Sequence, residues 1–373
     1  MGAPTTAERL YLDANATEPL RPEARAAMIA ALDLLGNPSS IHGDGRATRR
    51  LLEDSREAIA ARFGAAPRDV IFTSGGTEAN VLAIHGLAGT GSILRGATEH
   101  PAVIAAAGDG ATILPVDADG RIDLAELAAL LAARTPALVC VMLANNETGT
   151  VQPIAEAAAL CRAAGALLHV DAVQAAGRMT LDLANTGAHS LAISAHKLGG
   201  PTGAGALLLT PEAASRLVPL LVGGGQERGR RGGTAALANI AGFAAAALAA
   251  QPETAMALAA MRDAIEVAAI DAGALVVGGG APRLPNTTCL ALAGVRSESQ
   301  VIALDLAGLS VSAGAACSSG KVARSHVLEA MGLGPLAGEA IRVSLPWSAT
   351  PGHVTGFAAA YRAMAAQMRR KAA

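Results

Sequence analysis

The sequence predicts an α/β protein whose mainly parallel sheet is covered by helices on both faces, followed by a smaller α+β domain. Three observations predict it. Continuous apolar runs such as ALVCVML (137–143) alternate with Ala- and Leu-rich helical periods through the first two thirds of the chain, and strands buried on both faces read this way. Clusters of polar residues stand directly after those runs. Beyond about Ala250 the alternation gives way to a different texture.

In order along the chain, helical periods cover Pro22–Leu35 and Thr48–Phe63 and lead to the strand DVIFTS (69–74). TSGGTEAN places two glycines and a capping Thr77 before VLAIHGLA, so a helix begins near Thr77. SILRG reads as a strand, PAVIAAAG as a helix and ATILPVD as a strand. LAELAALLAA is a helix and ALVCVMLANN a strand; IAEAAALCRAAG is a helix and ALLHVDAV a strand. SLAISAHK and GALLLT add two more strands. After Ala250 come a helix, the strands VVGGG and TTCLALA, a helix, a loop holding Cys317, and then helices. The expected division is a large domain over 15–250 and a small one made of 1–14 and 251–373.

Bulk composition excludes several classes. The net charge is −2 and the pI about 6.5, so no field favours nucleic acid or an anionic membrane. Apolar residues make up 51% of the chain, yet the longest weakly polar runs, such as Ile240 to Ala250, fall short of the roughly 18 residues a membrane-spanning helix needs. MGAPTTAERLYLD has no basic region followed by an apolar core, so a secretory signal is not expected. The expectation is a soluble, cytoplasmic protein. Cys140, Cys161 and Cys289 lie in strand- or helix-like apolar contexts and read as core residues. With no C-x-x-C pair and no His cluster, neither a metal site nor a disulfide framework is expected. Cys317, in VSAGAACSSG, is the exception: its small and polar neighbours have the composition of a mobile loop.

In a parallel α/β sheet, ligands bind at the carboxyl ends of the strands. The residues there are SGGTE (74–78), TEHP (98–101), NNETG (145–149), DAVQ (171–174) and SAHK (194–197). Lys197 follows an apolar strand and is trailed by glycines, a setting suited to a Schiff base with an aldehyde. The usual partner, pyridoxal phosphate, needs an acid at its ring nitrogen, an anion cradle and a flat neighbour. Asp171 can supply the acid, and Gln174 a donor to the phenolic oxygen. Gly76 and Thr77 open a helix and so form a phosphate site, with Ser194 and His196 as further donors. His100 can stack on the ring.

These motifs resemble those of a class V, fold-type I pyridoxal-phosphate enzyme, and within that group a cysteine desulfurase of the NifS/IscS type. The resemblance runs from YLDANAT (11–17) through GNPSSIHGDG (36–45), FTSGGTEAN (72–80), ATEHPAV (97–103), NNETGTVQPI (145–154), HVDAVQAAG (169–177), SAHKLGGPTGAG (194–205), GGGQERGRRGGT (223–234) and SAGAACSSG (312–320) to IRVSL (341–345). It implies L-cysteine as substrate, pyridoxal 5'-phosphate as cofactor, and a homodimer with active sites at the subunit interface. Lys197 matches the cofactor-bearing lysine and a candidate for moving the α-proton; His100 matches the ring-stacking histidine and a candidate for proton transfer at sulfur. Asp171, Gln174, Gly76, Thr77, Ser194 and His196 match the roles just given. Asn145 matches an asparagine near cofactor and substrate, Thr234 a threonine reaching the neighbouring subunit's phosphate, and Arg342 the clamp on the substrate carboxylate.

The resemblance also assigns Cys317. It implies a nucleophile that takes the substrate's sulfur as a persulfide and hands it to an acceptor or scaffold protein, as in iron–sulfur cluster assembly, on the longer of the family's two loop forms. Glu18 stands where the family usually has Thr, and Thr202 where Lys is common; neither is expected to touch the chemistry. The sequence ends in QMRRKAA, so the longer scaffold-binding tail of some family members is not expected. A transaminase or selenocysteine lyase would share Lys197 and Asp171 without needing Cys317, and an inert scaffold would be expected to have lost Lys197 or Asp171.

Overall fold

Seven strands build the larger of two main sheets in the computed structural model, which describes residues 9–314 and 324–372. The strands of the chain are β1 (Leu10–Tyr11), β2 (Val70–Thr73), β3 (Ile93–Gly96), β4 (Thr112–Leu114), β5 (Leu138–Met142), β6 (Leu167–Asp171), β7 (Ser190–Ser194), β8 (Gly205–Leu209), β9 (Leu275–Val277), β10 (Thr287–Ala291), β11 (Leu309–Ser310), β12 (Ser312–Ala313) and β13 (Ala340–Ser344). The large sheet has the order β2-β8-β7-β6-β5-β3-β4. β3 to β7 are parallel, and β8 alone runs against its neighbours β7 and β2.

The continuous apolar runs have the expected cause. Val139, Val141, Leu168 and Val170 join one buried cluster, while Leu138, Cys140 and Leu167 join another. Alternate side chains of β5 and β6 therefore face opposite helical layers, so both faces are mainly apolar, and the buried His169 of β6 is hydrogen-bonded at both ring nitrogens. Among the helices are α1 (Pro22–Leu32), α2 (Gly43–Phe63), α3 (Gly76–Ala88) and α4 (Pro101–Ala107). Helix α2 starts earlier than the periodicity suggested because His42 Nδ1 caps the Gly45 amide at 3.3 Å. β4 stops at Leu114, short of the ATILPVD run, because the next residue is Pro115, which has no N–H for a ladder.

The second sheet, β12-β13-β10-β9, is antiparallel. Its apolar cluster joins Leu12 to Leu290, Ile341, Val343, Phe357 and Tyr361, the last two stacked at 5.1 Å. β1 pairs with β11, and an isolated bridge joins Asp13 to Ser344. The segment that follows, Asn15 to Arg21, then leads toward the ends of the large sheet, where Glu18 N–H donates to the His196 carbonyl at 2.8 Å. One expectation is corrected here: the region after Cys317 is not all helix. β13 lies inside the sheet, and the charged Arg342 in its middle hid it from a reading based on apolar runs. No described helix is long and apolar enough to cross a membrane.

Candidate active site

Because β5, β6 and β7 are parallel, their carboxyl ends open on one edge of the sheet, and a cavity of ≈ 460 Å³ lies there. Its wall includes Gly76, Thr77, His100, Asp171, Gln174, Ser194, His196, Lys197 and Arg342, which the sequence scatters over 267 positions (76 to 342). Its size is typical of a small-molecule site.

Asp171 ends β6. Asn80 Nδ2 donates to its Oδ2 at 2.7 Å and the Val173 amide to its Oδ1 at 3.0 Å. A carboxylate only accepts, so the Asn80 amide must present its nitrogen to Asp171 and its oxygen to His169 Nε2, 2.9 Å away. His169 Nε2 therefore carries the proton, and Nδ1 accepts from Ser190 Oγ at 2.8 Å. Burial pulls the His169 pKa down to about 3, so the ring stays neutral. The result is a directed chain, Ser190 to His169 to Asn80 to Asp171, that the sequence reading missed. One signal was present: His169 precedes Asp171 by two residues, which places both on one face of β6. Its register opposite Ser190 was not legible.

Lys197 is half-buried on the turn Ala195–Lys197 that follows β7. Its Nζ donates to the carbonyls of Asn15 at 2.5 Å and Ala16 at 2.9 Å, which align it along the cavity wall. His100 caps α4, its Nδ1 accepting from the Ala102 amide at 3.1 Å. Burial, aided by Lys197 and His326 and opposed by Asp171, lowers its pKa. The neutral ring thus carries its proton on Nε2. Glu99 beside it is buried, with Oε1 accepting the Met142 amide at 2.8 Å; burial raises its pKa well above the usual range.

Two observations test whether these residues suit pyridoxal phosphate. Ser194 Oγ is buried and has no partner among the described residues, although buried hydroxyls are normally paired. Ser194 also lies against the start of α3: a Cβ on Gly76 would come 3.4 Å from Ser194 Cβ. The residue before α3, Gly75, supplies no side-chain cap, and the first-turn carboxylate of Glu78 is taken up by the Ser74 amide at 2.7 Å and by Arg231, so a donor hydroxyl meets the first amides of a helix. β8 can run beneath this turn only because it carries Gly205, where a Cβ would lie 2.7 Å from the Gly75 backbone. His196, its pKa lowered to about 4 by burial and then by Lys197 and Arg178, is neutral there. The donor set fits the cofactor.

Arg342 is buried on β13, with Nη2 on Asp13 Oδ1 at 2.6 Å and Nη1 on the Asn146 carbonyl at 3.0 Å. Asp13 was not singled out by the sequence. Two expected residues stand elsewhere. The side chain of Asn145 is absorbed by its own turn: Oδ1 accepts from the Glu147 and Thr148 amides at 2.8 and 3.0 Å, and Nδ2 donates to the Thr98 carbonyl at 3.2 Å. Asn146 lines the cavity in its place. Thr234 is exposed and borders a separate cavity of ≈ 550 Å³ with Arg56 and Glu227. Cys317 lies outside the described residues; Ser312, five positions before it, lines the cavity. Cys140, Cys161 and Cys289 are buried, and burial raises all three thiols, Cys161 to about 12.

Glu18 does not line the cavity, but it is connected to one of its wall residues. It is buried and paired with Arg178 at 3.2 Å, and Arg178 Nη1 donates to Gln174 Oε1. Burial raises the Glu18 pKa against the pull of Arg178.

Known proteins share the family and the fold. The class-V aminotransferase family model matches residues 10–356. A cysteine desulfurase of Cereibacter sphaeroides is 43% identical over 339 residues, covering 87% of each chain. The cysteine desulfurase NifS of Azotobacter vinelandii is 38% identical, covering 86% of this chain and 84% of its own. The solved NifS-like protein of Rickettsia africae superposes with a TM-score of 0.88 at 31% identity, over 96% of this chain and 99% of its own.

Proposed function

The chain belongs to the class V aminotransferase family as a cysteine desulfurase, and from that premise we propose that the cavity beside Lys197 holds pyridoxal 5'-phosphate while Cys317 takes the sulfur of L-cysteine. The observation that carries this reading is the meeting of Lys197, Asp171, Gln174, His100 and Arg342 around one cavity.

When bound, the cofactor supplies an electron sink for a bond at the substrate α-carbon. Asp171, aimed by Asn80 and the Val173 amide, would hold a proton at the ring nitrogen. Gly76, Thr77, Ser194 and His196 would take the phosphate, Gln174 would donate to the phenolic oxygen, and His100 would lie against the ring. Arg342 binds the substrate carboxylate, with Asp13 and the Asn146 carbonyl holding the guanidinium in place. Asn145 acts through the turn it caps. Lys197 Nζ moves the α-proton, and His100 Nε2 moves a proton at the sulfur.

Cys317, as thiolate, attacks Sγ. The S–S bond forms as Cβ–Sγ breaks, the bonding pair passes to Cβ, and Cβ takes a proton; L-alanine leaves and the enzyme keeps a persulfide. The other three cysteines are buried thiols with raised pKa values, which leaves Cys317 as the candidate.

The same reading divides the chain into a cofactor-binding part over 15–250 and a smaller part from 1–14 and 251–373, supported by the separate apolar cluster around Leu12, Phe357 and Tyr361. It makes the protein a cytoplasmic homodimer in which Thr234 serves the neighbouring subunit's phosphate. Leu35, Ile41 and Val222, exposed to 81%, 90% and 77%, are apolar surface for such an interface. An acceptor protein then draws the sulfur into iron–sulfur cluster or other sulfur-cofactor assembly. The test is to give the cofactor-loaded protein L-cysteine without reductant and map sulfur by peptide mass. One added sulfur atom is expected on the peptide with Cys317, and Cys317→Ala should load cofactor yet form little alanine. Sulfur on Cys140, Cys161 or Cys289, or normal turnover by Cys317→Ala, overturns the reading.

A further inference from the structure

Lys197 also borders a smaller cavity of ≈ 260 Å³, shared with Glu18, Arg21, Arg178 and Trp347. The Glu18–Arg178 pair in its wall is buried on both sides, at 5% side-chain exposure each. Isolated buried charges are costly, so a pair kept in this position needs a physical reason. We propose that Arg178, held in place by Glu18, is a positioning residue that decides which end of the Gln174 amide faces the cofactor cavity.

The hydrogen bonds argue for this by their polarity. Arg178 has donors only. Its Nη1 donates to Gln174 Oε1 and to the Gln174 carbonyl at 3.3 Å, and its Nη2 to the Ala14 carbonyl and Glu18 Oε1, both at 3.2 Å. With its oxygen committed, Gln174 presents Nε2 on the other side, where one N–H reaches the Asn15 carbonyl at 3.1 Å. The second N–H remains for an acceptor in the cavity, which Gln174 lines. The flipped amide would set NH₂ against the guanidinium and its oxygen against the Asn15 carbonyl, two contacts of like polarity. Glu18 is fixed in turn, because its Oε2 accepts the Trp347 amide at 3.1 Å. The pair thereby links the segment after β1, the turn after β6 and the chain after β13.

This inference rests on the reading that Gln174 donates to the phenolic oxygen, so the experiment separates the two. The cofactor-loaded protein is titrated without substrate, recording the pH at which the visible absorbance half-changes. Gln174→Ala tests the underlying reading. A donor lost from the phenolic oxygen leaves more negative charge there, which holds the neighbouring proton to higher pH, and a shift of about one unit is expected.

The double variant Glu18→Gln/Arg178→Met removes both charges, so no buried ion is stranded. It should shift the midpoint in the same direction, and adding Gln174→Ala to it should give little more. The other charged or titratable groups lining the cavity, Asp13, His100, Asp171, His196, Lys197 and Arg342, are retained throughout. If Gln174→Ala shifts the midpoint and the double variant leaves it at the wild-type value, the positioning role is overturned while the reading of Gln174 stands. If Gln174→Ala itself produces no shift, both fall. Should circular dichroism show the double variant unfolded, Arg178→Lys replaces it. One ammonium cannot reach both Gln174 and Glu18 as the fork does, and the same shift or its absence decides.

Discussion

Replacing Asn80 with alanine removes the 2.7 Å hydrogen bond that aims Asp171 and leaves the Val173 amide, at 3.0 Å, as its remaining partner. A hydrogen bond to a charged acceptor contributes about 1.5–3 kcal/mol. If that energy is expressed in the transition state, the rate falls about 10- to 100-fold, at about 1.4 kcal/mol per decade. Stability falls as well, because His169 Nε2–H loses its acceptor inside the core. The assay is alanine formation at saturating L-cysteine with excess reductant, alongside thermal unfolding of the cofactor-loaded protein. Two companion variants bracket the result. Asp171→Asn removes the carboxylate itself and should lose more than Asn80→Ala. Asn80→Asp sets a second carboxylate against the first and should also be slower than Asn80→Ala. A rate for Asn80→Ala within twofold of wild type, or an Asn80→Asp variant as fast as wild type, would refute the claim that the chain from Ser190 holds the acid in place.

The pH dependence of stability should carry the mark of His169. Its folded pKa is near 3 against about 6.5 in an unfolded chain, so the unfolded state binds the proton first as pH falls. Its contribution is intact above about 6.5 and drains away below it at about 1.4 kcal/mol per pH unit. His169→Gln should flatten the acid slope in urea denaturation by that amount, and unchanged slopes would refute it. Glu18, Glu99 and Glu147, whose carboxyls burial raises, act in the opposite direction and are common to both proteins. Arg342→Lys should raise KM for L-cysteine about 10- to 100-fold, because one ammonium cannot hold Asp13, the Asn146 carbonyl and a substrate carboxylate together; kcat should change less and the cofactor absorbance should stay. An unchanged KM would remove Arg342 from the substrate.

The large sheet was legible because its strands are buried on both faces. Val139 and Val141 on one side and Leu138 and Cys140 on the other must all be apolar, so the run announces itself. β13 was not legible for the converse reason. A strand with a functional arginine at its centre has no uninterrupted run, and the Asp13 partner that allows Arg342 to be buried stands 329 residues away.

The site divides in the same way. By itself the sequence determined which strand ends carry chemistry, since Asp171, Ser194 and Lys197 follow directly on apolar runs and chain order alone puts them at the carboxyl edge of a parallel sheet. Side-chain orientation was decided only in three dimensions. Asn145 and Asn146 are neighbours of one residue type, yet a turn absorbs the first and leaves the second on the cavity wall. Asn80, His169 and Ser190 became one relay only when α3, β6 and β7 met in register. Glu18, which no local pattern ties to the strand ends, is joined through Arg178, 160 residues on, to Gln174 on the cavity wall. Hydrogen-bond polarity fixes which end of an amide points where, and it acts between partners that folding brings together, so it leaves no trace in local pattern.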